Sequence, residues 1–319
     1  MTVVDKSKPD SADQGNLTRS HGGTEVRPVA RAENAQGVWR SALVGAVALC
    51  AASAGAVETA VRRDIPYLSD EALASASAYQ KERCRLDVRV PVGVTGFPTV
   101  VWFHGGGLTG GGKHFIRIDE GIAQVAANYR LLQKDGSVTG DDCIDDATAA
   151  VAWTLRNVAR LGGDPKKVYV SGMSAGGYLT MMVGMDPSRL GKYGFRPTDL
   201  AGLAPISGQA TKHFNVRAFA GDVDPQYLPK IDRLAPLAYC SKELPPIVSI
   251  CGEPPWEWPC RAEENWLLIA SCVALGHEKA WFVSCPYADH GRALTAGVPY
   301  VELFVQGRLP DSLRLGARR

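Results

Sequence analysis

Metal-ligand spacing is missing from this chain. Six histidines and eight cysteines occur among 319 residues, yet none stand as Cys-x-x-Cys or His-x-x-x-His, so no metal site is expected. A surplus of one charge is missing too: 35 Lys and Arg against 33 Asp and Glu leave a net charge of +2. That balance gives no electrostatic reason to expect nucleic acid or an acidic membrane surface as partner. A stable membrane span wants about 20 strongly apolar residues, and the apolar run from Ala42 to Ala56 is shorter and rich in alanine. Internal repeats are absent, and no boundary marks a second folded domain. What is present suits one large α/β domain, residues 57–319, because 45% of the chain is hydrophobic and can fill a sizeable core at this length.

Residues 1–38 are polar, without apolar periodicity, and are expected to be disordered. Residues 39–56 read as a secretory signal: Arg40, a short apolar core, then Ala54-Gly55-Ala56 with cleavage near Ala56. Leu49 before Cys50 is not the small residue a lipidation site wants. The signal sits some way in from Met1, so either translation starts further along or the run is an ordinary helix in a tail. Export, periplasmic or secreted, is the expectation; a cytoplasmic protein follows if the run is no signal. Cleavage would leave an odd number of cysteines, which excludes complete internal pairing. Cys251 and Cys260 flank a loop and would pair in an exported protein; Cys272 and most others read as small buried residues.

Short β-branched and aromatic runs mark strands: Cys84–Val90, Pro98–Phe103, Ile122–Tyr129, Val168–Val170, Leu200–Ile206, Ile247–Cys251 and Ala280–Val283. Between them, helical composition or spacing predicts helices over Glu71–Tyr79, Asp141–Leu161 and Glu263–Ala274, the second capped by Asp141 or Asp142 and ended by Gly162-Gly163. Asp145 and Asp146 read as acids of that helix's first turn, favoured by the helix dipole. Strands alternating with helices imply a mostly parallel sheet covered on both faces. The stretch Gly208–Leu244 is long enough only for a small cap.

Two of the strands run into glycine-rich turns. After Val168–Val170 comes Gly172-Met173-Ser174-Ala175-Gly176, then a stretch of helical composition. Strand, tight turn and helix is the setting in which G-x-S-x-G is a nucleophile elbow, with the serine hydroxyl at its apex and a helix N-terminus aimed beside it. A lone match of this kind is also an ordinary glycine turn. The second motif changes that balance: Pro98–Phe103 ends in His104-Gly105-Gly106-Gly107. No Lys-Ser/Thr pair follows to make it a phosphate loop, and three glycines after a strand-end histidine suit amides aimed at a developing oxyanion.

From about Asp64 to Leu309 the chain resembles α/β-hydrolases of the hormone-sensitive-lipase and carboxylesterase type, and among them small bacterial esterase/lipase proteins. The resemblance rests on His104–Gly107, Asn128-Tyr129-Arg130, Gly162-Gly163-Asp164-Pro165, Gly172–Gly177 and Asp289-His290-Gly291. It implies the α/β-hydrolase fold and a serine carboxylic-ester hydrolase that needs no cofactor and takes a small-molecule ester. It implies Ser174 as nucleophile, His290 as its base, and amides of Gly106, Gly107 and Ala175 as the oxyanion hole. Gly105 and His104 support that loop, His104 through its ring hydrogen bonds.

The acid departs from the family pattern. Relatives place it where this chain has Pro255, in Gly252-Glu253-Pro254-Pro255-Trp256-Glu257-Trp258. Glu257 is the preferred substitute, since two prolines stiffen the loop and Trp256 and Trp258 would dehydrate its hydrogen bond; Glu253 is the alternative. Asp289 reads as a loop-fixing residue, His277 as a structural histidine at a helix end, and His213 as either pocket lining or plain surface. The leading reading is hydrolysis of a small or short-chain acyl ester, an acetylated carbohydrate being one candidate. A binding protein that lost its acid, and a serine peptidase of the same fold, are the alternatives. Oligomeric state is not legible.

Overall fold

The structure is a computed structural model that describes residues 57–316. The polar segment 1–38 and the signal read at 39–56 lie outside the described residues. Eight strands form one sheet: β1 (Thr59–Pro66), β2 (Arg85–Pro91), β3 (Phe97–Phe103), β4 (Ala123–Ala127), β5 (Gly163–Met173), β6 (Gly202–Ile206), β7 (Ile247–Gly252) and β8 (Ala280–Cys285). Their spatial order is β1-β2-β4-β3-β5-β6-β7-β8. β1–β2 and β2–β4 pair antiparallel, and every pairing from β4 to β8 is parallel.

Alternation along the central strands builds a core on each face of the sheet. On β3, Val101 and Phe103 point into one cluster, with Ile144, Leu179, Met182 and Leu268. Val100 and Trp102 point into the other, with Val248, Val301 and Phe304. Both sets are fully or nearly fully buried, as strands covered on both sides must be. Each such side chain contributes roughly 1.5–3 kcal/mol by leaving water. The helices that close the two faces are α1 (Asp70–Ser75), α2 (Ala78–Arg83), α3 (Gly140–Asn157), α4 (Ala175–Met185), α5 (Pro187–Gly191), α6 (Phe214–Phe219), α7 (Arg261–Ala274) and α8 (Arg292–Val305). All eleven residues of α4 are buried, which makes the helix behind the elbow a core element.

Several expectations are corrected. The helix read over Glu71–Tyr79 is two, α1 and α2, because Ser69 and Ser77 each cap a new start through the side chain. Thr139, not Asp141 or Asp142, caps α3, and Asp142 closes the capping box. Asp145 and Asp146 lie beyond its first turn and are ion-paired: Asp146 with Arg130 at 2.7 Å, Asp145 with Arg189 at 2.9 Å and Lys192 at 2.8 Å. β5 starts at Gly163, ahead of the β-branched run: Gly163 pairs with Phe97, and after a break in register the pairing resumes at Thr99 and Val168. Cys251 and Cys260 are both free, one buried on β7 and the other exposed before α7. Among the described residues no helix is long and apolar enough to cross a membrane.

Candidate active site

The carboxyl ends of β3, β5, β7 and β8 carry the loops that meet here. At the end of β5 the chain turns through Ser174, whose backbone sits at φ 57°, ψ −113°, a strained conformation for a residue with a side chain. Its neighbours make the turn possible. A Cβ on Gly172 would lie 2.5 Å from Gly176 backbone, and one on Gly176 would lie 2.0 Å from the Phe103 carbonyl oxygen. Only hydrogen fits at either place, so the G-x-S-x-G spacing is a packing requirement of the elbow against β3. The Ser174 amide donates to the Ile206 carbonyl at 2.8 Å, tying the turn to β6.

Ser174, His290 and Glu257 form a continuous chain of hydrogen bonds. His290 Nε2 is 2.9 Å from Ser174 Oγ, and His290 Nδ1 is 2.6 Å from Glu257 Oε1. The carboxylate accepts from Nδ1–H, so Nε2 carries the lone pair that faces the hydroxyl. Glu257 is itself held from other sides: Oε2 accepts from Ser207 Oγ at 2.6 Å and the Gly252 amide at 3.1 Å, and Oε1 accepts from the Trp258 amide at 2.8 Å. Burial alone would raise its pKa, but hydrogen bonds from His290 and Ser207, the charge interaction with His290 and the Trp258 amide together hold it below the ordinary value. Glu253 takes no part; its Oε2 accepts from the Tyr287 amide at 2.7 Å. The Asp289 carboxylate accepts from the Arg292 amide at 2.8 Å and starts α8.

The imidazole of His290 lies flat on the Trp258 indole, ring centres 3.6 Å apart and planes 13° apart. Phe214 and Tyr227 each place a ring about 6 Å from Trp258. Behind the indole, the Arg261 guanidinium sits 5.6 Å over the same ring, bonds the Ser207 carbonyl at 2.5 Å and pairs with Glu264 at 3.0 Å.

The glycine turn after β3 lies beside the serine. A Cβ on Gly105 would sit 3.6 Å from Ser174 Cβ. Gly106 and Gly107 have φ of +105° and +64°, values that favour glycine. The carbonyls of the turn have partners. Gly105 O accepts from His104 Nδ1 at 2.7 Å, Gly106 O from the Thr109 and Gly110 amides at 3.0 Å each, and Gly107 O from Asn215 Nδ2 at 2.7 Å. Among the described residues the Gly106 and Gly107 amides have no protein acceptor. The Ala175 amide is at the first position of α4, where a helix leaves its N–H groups unpaired. His104 stacks on Tyr129 at 4.4 Å, and Tyr129 Oη donates to the His104 carbonyl at 2.9 Å. Burial pushes the His104 pKa down to about 4, so the ring is neutral near pH 7 with its proton on Nδ1.

Two further histidines read from the sequence, His213 and His277, are elsewhere employed. His213 is not a surface residue: it is buried, caps α6 by accepting from the Asn215 amide at 3.2 Å, and stacks on Phe214. His277 donates from Nδ1 to the Lys242 carbonyl at 3.2 Å. Sequence reasoning passed over Ser207, the stacking face of Trp258, and Asn215. Each acts across 32 to 108 residues of chain, and no periodicity or spacing signals such a contact.

The family model BD-FAE matches residues 86–192. Carboxylesterase 1F of Mus musculus is 38% identical over 127 residues, covering 36% of this chain and 22% of the mouse protein. Carboxylesterase NlhH of Mycobacterium tuberculosis is 35% identical over 102 residues, covering 29% of this chain and 30% of that protein. The chain therefore spans less than a third of the length of these curated relatives. Among solved structures, a truncated form of a carbohydrate esterase from gut microbiota superposes with a TM-score of 0.63 at 18% identity, over 80% of this chain and 98% of that one. Esterase 2 of Thermogutta terrifontis with propionate bound does so at 0.56 and 19% identity, over 79% and 95%. The chain has the α/β-hydrolase fold of these esterase structures, and the segment that carries its glycine turn and serine elbow is similar in sequence to carboxylesterases.

Proposed function

We propose that the protein is a serine hydrolase of carboxylic esters, with Ser174 as nucleophile, His290 as general base and Glu257 as the orienting acid. The observation that carries this reading is the unbroken relay from Glu257 Oε1 to His290 to Ser174 Oγ, at 2.6 and 2.9 Å, beside the Gly106 and Gly107 amides, which have no acceptor among the described residues. His290 Nε2 takes the hydroxyl proton as Oγ attacks the ester carbonyl, and Glu257 stabilises the imidazolium that results. The Gly106, Gly107 and Ala175 amides receive the tetrahedral oxyanion; one such donor is typically worth about 3 kcal/mol of barrier. Protonated His290 then hands its proton to the departing alcohol, and water, activated by the same base, releases the acid from Ser174.

The preferred substrate is a small or short-chain acyl ester with a polar alcohol portion, an acetylated carbohydrate among them. A recess of about 210 Å³ lined by Phe214, Asn215, Arg217, Asp222, Asp224 and Gln226 begins at Phe214, whose ring lies 6.1 Å from Trp258, and its polar lining suits a polar alcohol. A carbohydrate esterase among the structural neighbours agrees with this. The alternative of a binding protein without an acid has the Glu257–His290 hydrogen bond against it. A p-nitrophenyl acetate assay tests the proposal. Wild-type protein gives turnover and Ser174→Ala lowers it by at least about 10³-fold; equal turnover in the two would overturn it.

A further inference from the structure

The glycine turn poses a mechanical problem. Glycine peptides rotate at little cost, whereas oxyanion donors work only if they are already aimed. Because the C=O and N–H of one peptide plane point in opposite directions, fixing a carbonyl fixes the amide beyond it. His104 Nδ1 does this for the Gly105–Gly106 peptide, and the Thr109 and Gly110 amides do it for Gly106–Gly107. Both are local, supplied within five residues of the turn. The third peptide, Gly107–Leu108, is held from a distant segment: Asn215 Nδ2 donates to Gly107 O at 2.7 Å across 108 residues of sequence.

We infer that Asn215 is a positioning residue for the oxyanion-binding turn, fixing the Gly107–Leu108 peptide and, through the ψ of Gly107, the amides before it. The inference rests on the reading of the Gly106 and Gly107 amides as oxyanion donors. Among the described residues this is the one side-chain hydrogen bond from segment 207–246 to residues 104–111. At 2.7 Å the bond is direct, with no room for water between donor and carbonyl, and a Cβ on Gly107 would lie only 2.8 Å from Asn215 Nδ2. The donor is firmly mounted. The Asn215 amide bonds His213 Nδ1 at 3.2 Å and the Phe214 amide bonds Gln209 Oε1 at 3.0 Å. Val216 packs where a Cβ on Gly140 would touch it at 2.7 Å, and the Arg217 guanidinium bonds Asp222 at 2.9 Å and the Leu228 carbonyl at 2.6 Å. The amide orientation follows from the partner, because only the NH₂ end of Asn215 can face a carbonyl.

The test compares Asn215→Ala and Asn215→Asp in the full chain, the second nearly isosteric but lacking the donor. With p-nitrophenyl acetate, kcat falls about tenfold in both while KM stays within about twofold, as expected for an interaction felt in the transition state. Affinity for an alkyl boronic acid, which forms a tetrahedral anionic adduct on Ser174, weakens by the same factor. Val301→Ala, buried in the cluster on the other face of the sheet, serves as the comparison for a merely structural effect: it lowers Tm and leaves kcat and boronate affinity in place. Unchanged kcat and boronate affinity in folded Asn215 variants overturn the inference, as does an equal loss in Val301→Ala. Should an Asn215 variant fail to fold, Asn215→Ser is read by the same measures and the same outcomes decide. Failure of the underlying reading is distinct, because Ser174→Ala would then keep its turnover and wild-type protein would not bind the boronic acid.

Discussion

Glu257 stands two places beyond Pro255, and its environment accounts for the shift of position. A carboxylate at 257 reaches His290 Nδ1 and still finds donors for both oxygens in Ser207, Gly252 and Trp258; a buried carboxylate without them would be costly. Glu257→Gln is expected to lower kcat by about 10³–10⁴, since an amide at that place orients the imidazole wrongly. Glu253→Gln, altering a residue that contacts only the Tyr287 amide on that side, stays within about twofold; steady-state kinetics on p-nitrophenyl acetate separate the two. Ser174, His290 and a choice of two glutamates were legible in the sequence as candidates because each lies in a short motif at a strand end. Ser207 was not, because its importance comes from a hydrogen bond across 50 residues. The same holds for the indole of Trp258, which sequence marked only as a source of dryness.

At the level of elements, the elbow is a contact between β3, β5 and α4. Gly176→Ala drives a methyl into the Phe103 carbonyl, with no flexible atom to yield. Its expected cost exceeds about 4 kcal/mol, beyond ordinary overpacking, and soluble yield and Tm are the readouts. Gly191→Ala, at the end of α5 with nothing within 4 Å of its Cβ, is the matched control and changes stability by at most about 1 kcal/mol. Strand positions were legible because β3, β4, β6 and β7 are buried on both faces and read as largely apolar runs. Helix starts were less so. Ser69, Ser77 and Thr139 are each an ordinary polar residue until the backbone turns, and capping then depends on geometry that composition does not carry.

Across the whole molecule, two buried histidines set a common response to acid. Burial pushes the pKa of His104 down to about 4 and that of His213 down to about 3. In the unfolded chain both take up a proton near pH 6.5, so below that pH the unfolded state binds more protons and stability falls with pH. The loss begins near pH 6.5 and continues through the folded values, reaching about 3 kcal/mol for each by pH 4. Chemical denaturation followed from pH 7.5 to 4.5 checks this, and His213→Asn, which keeps a capping acceptor for α6, is expected to flatten the curve. A constant stability over that range would contradict it. The flat stack of His290 on Trp258 gives the same experiment a second, local channel. The emission difference between the wild type and Trp258→Phe comes from the one indole that lies flat on His290, ring centres 3.6 Å apart. Loosening of this one stack is therefore readable by light, apart from the unfolding of the sheet behind it.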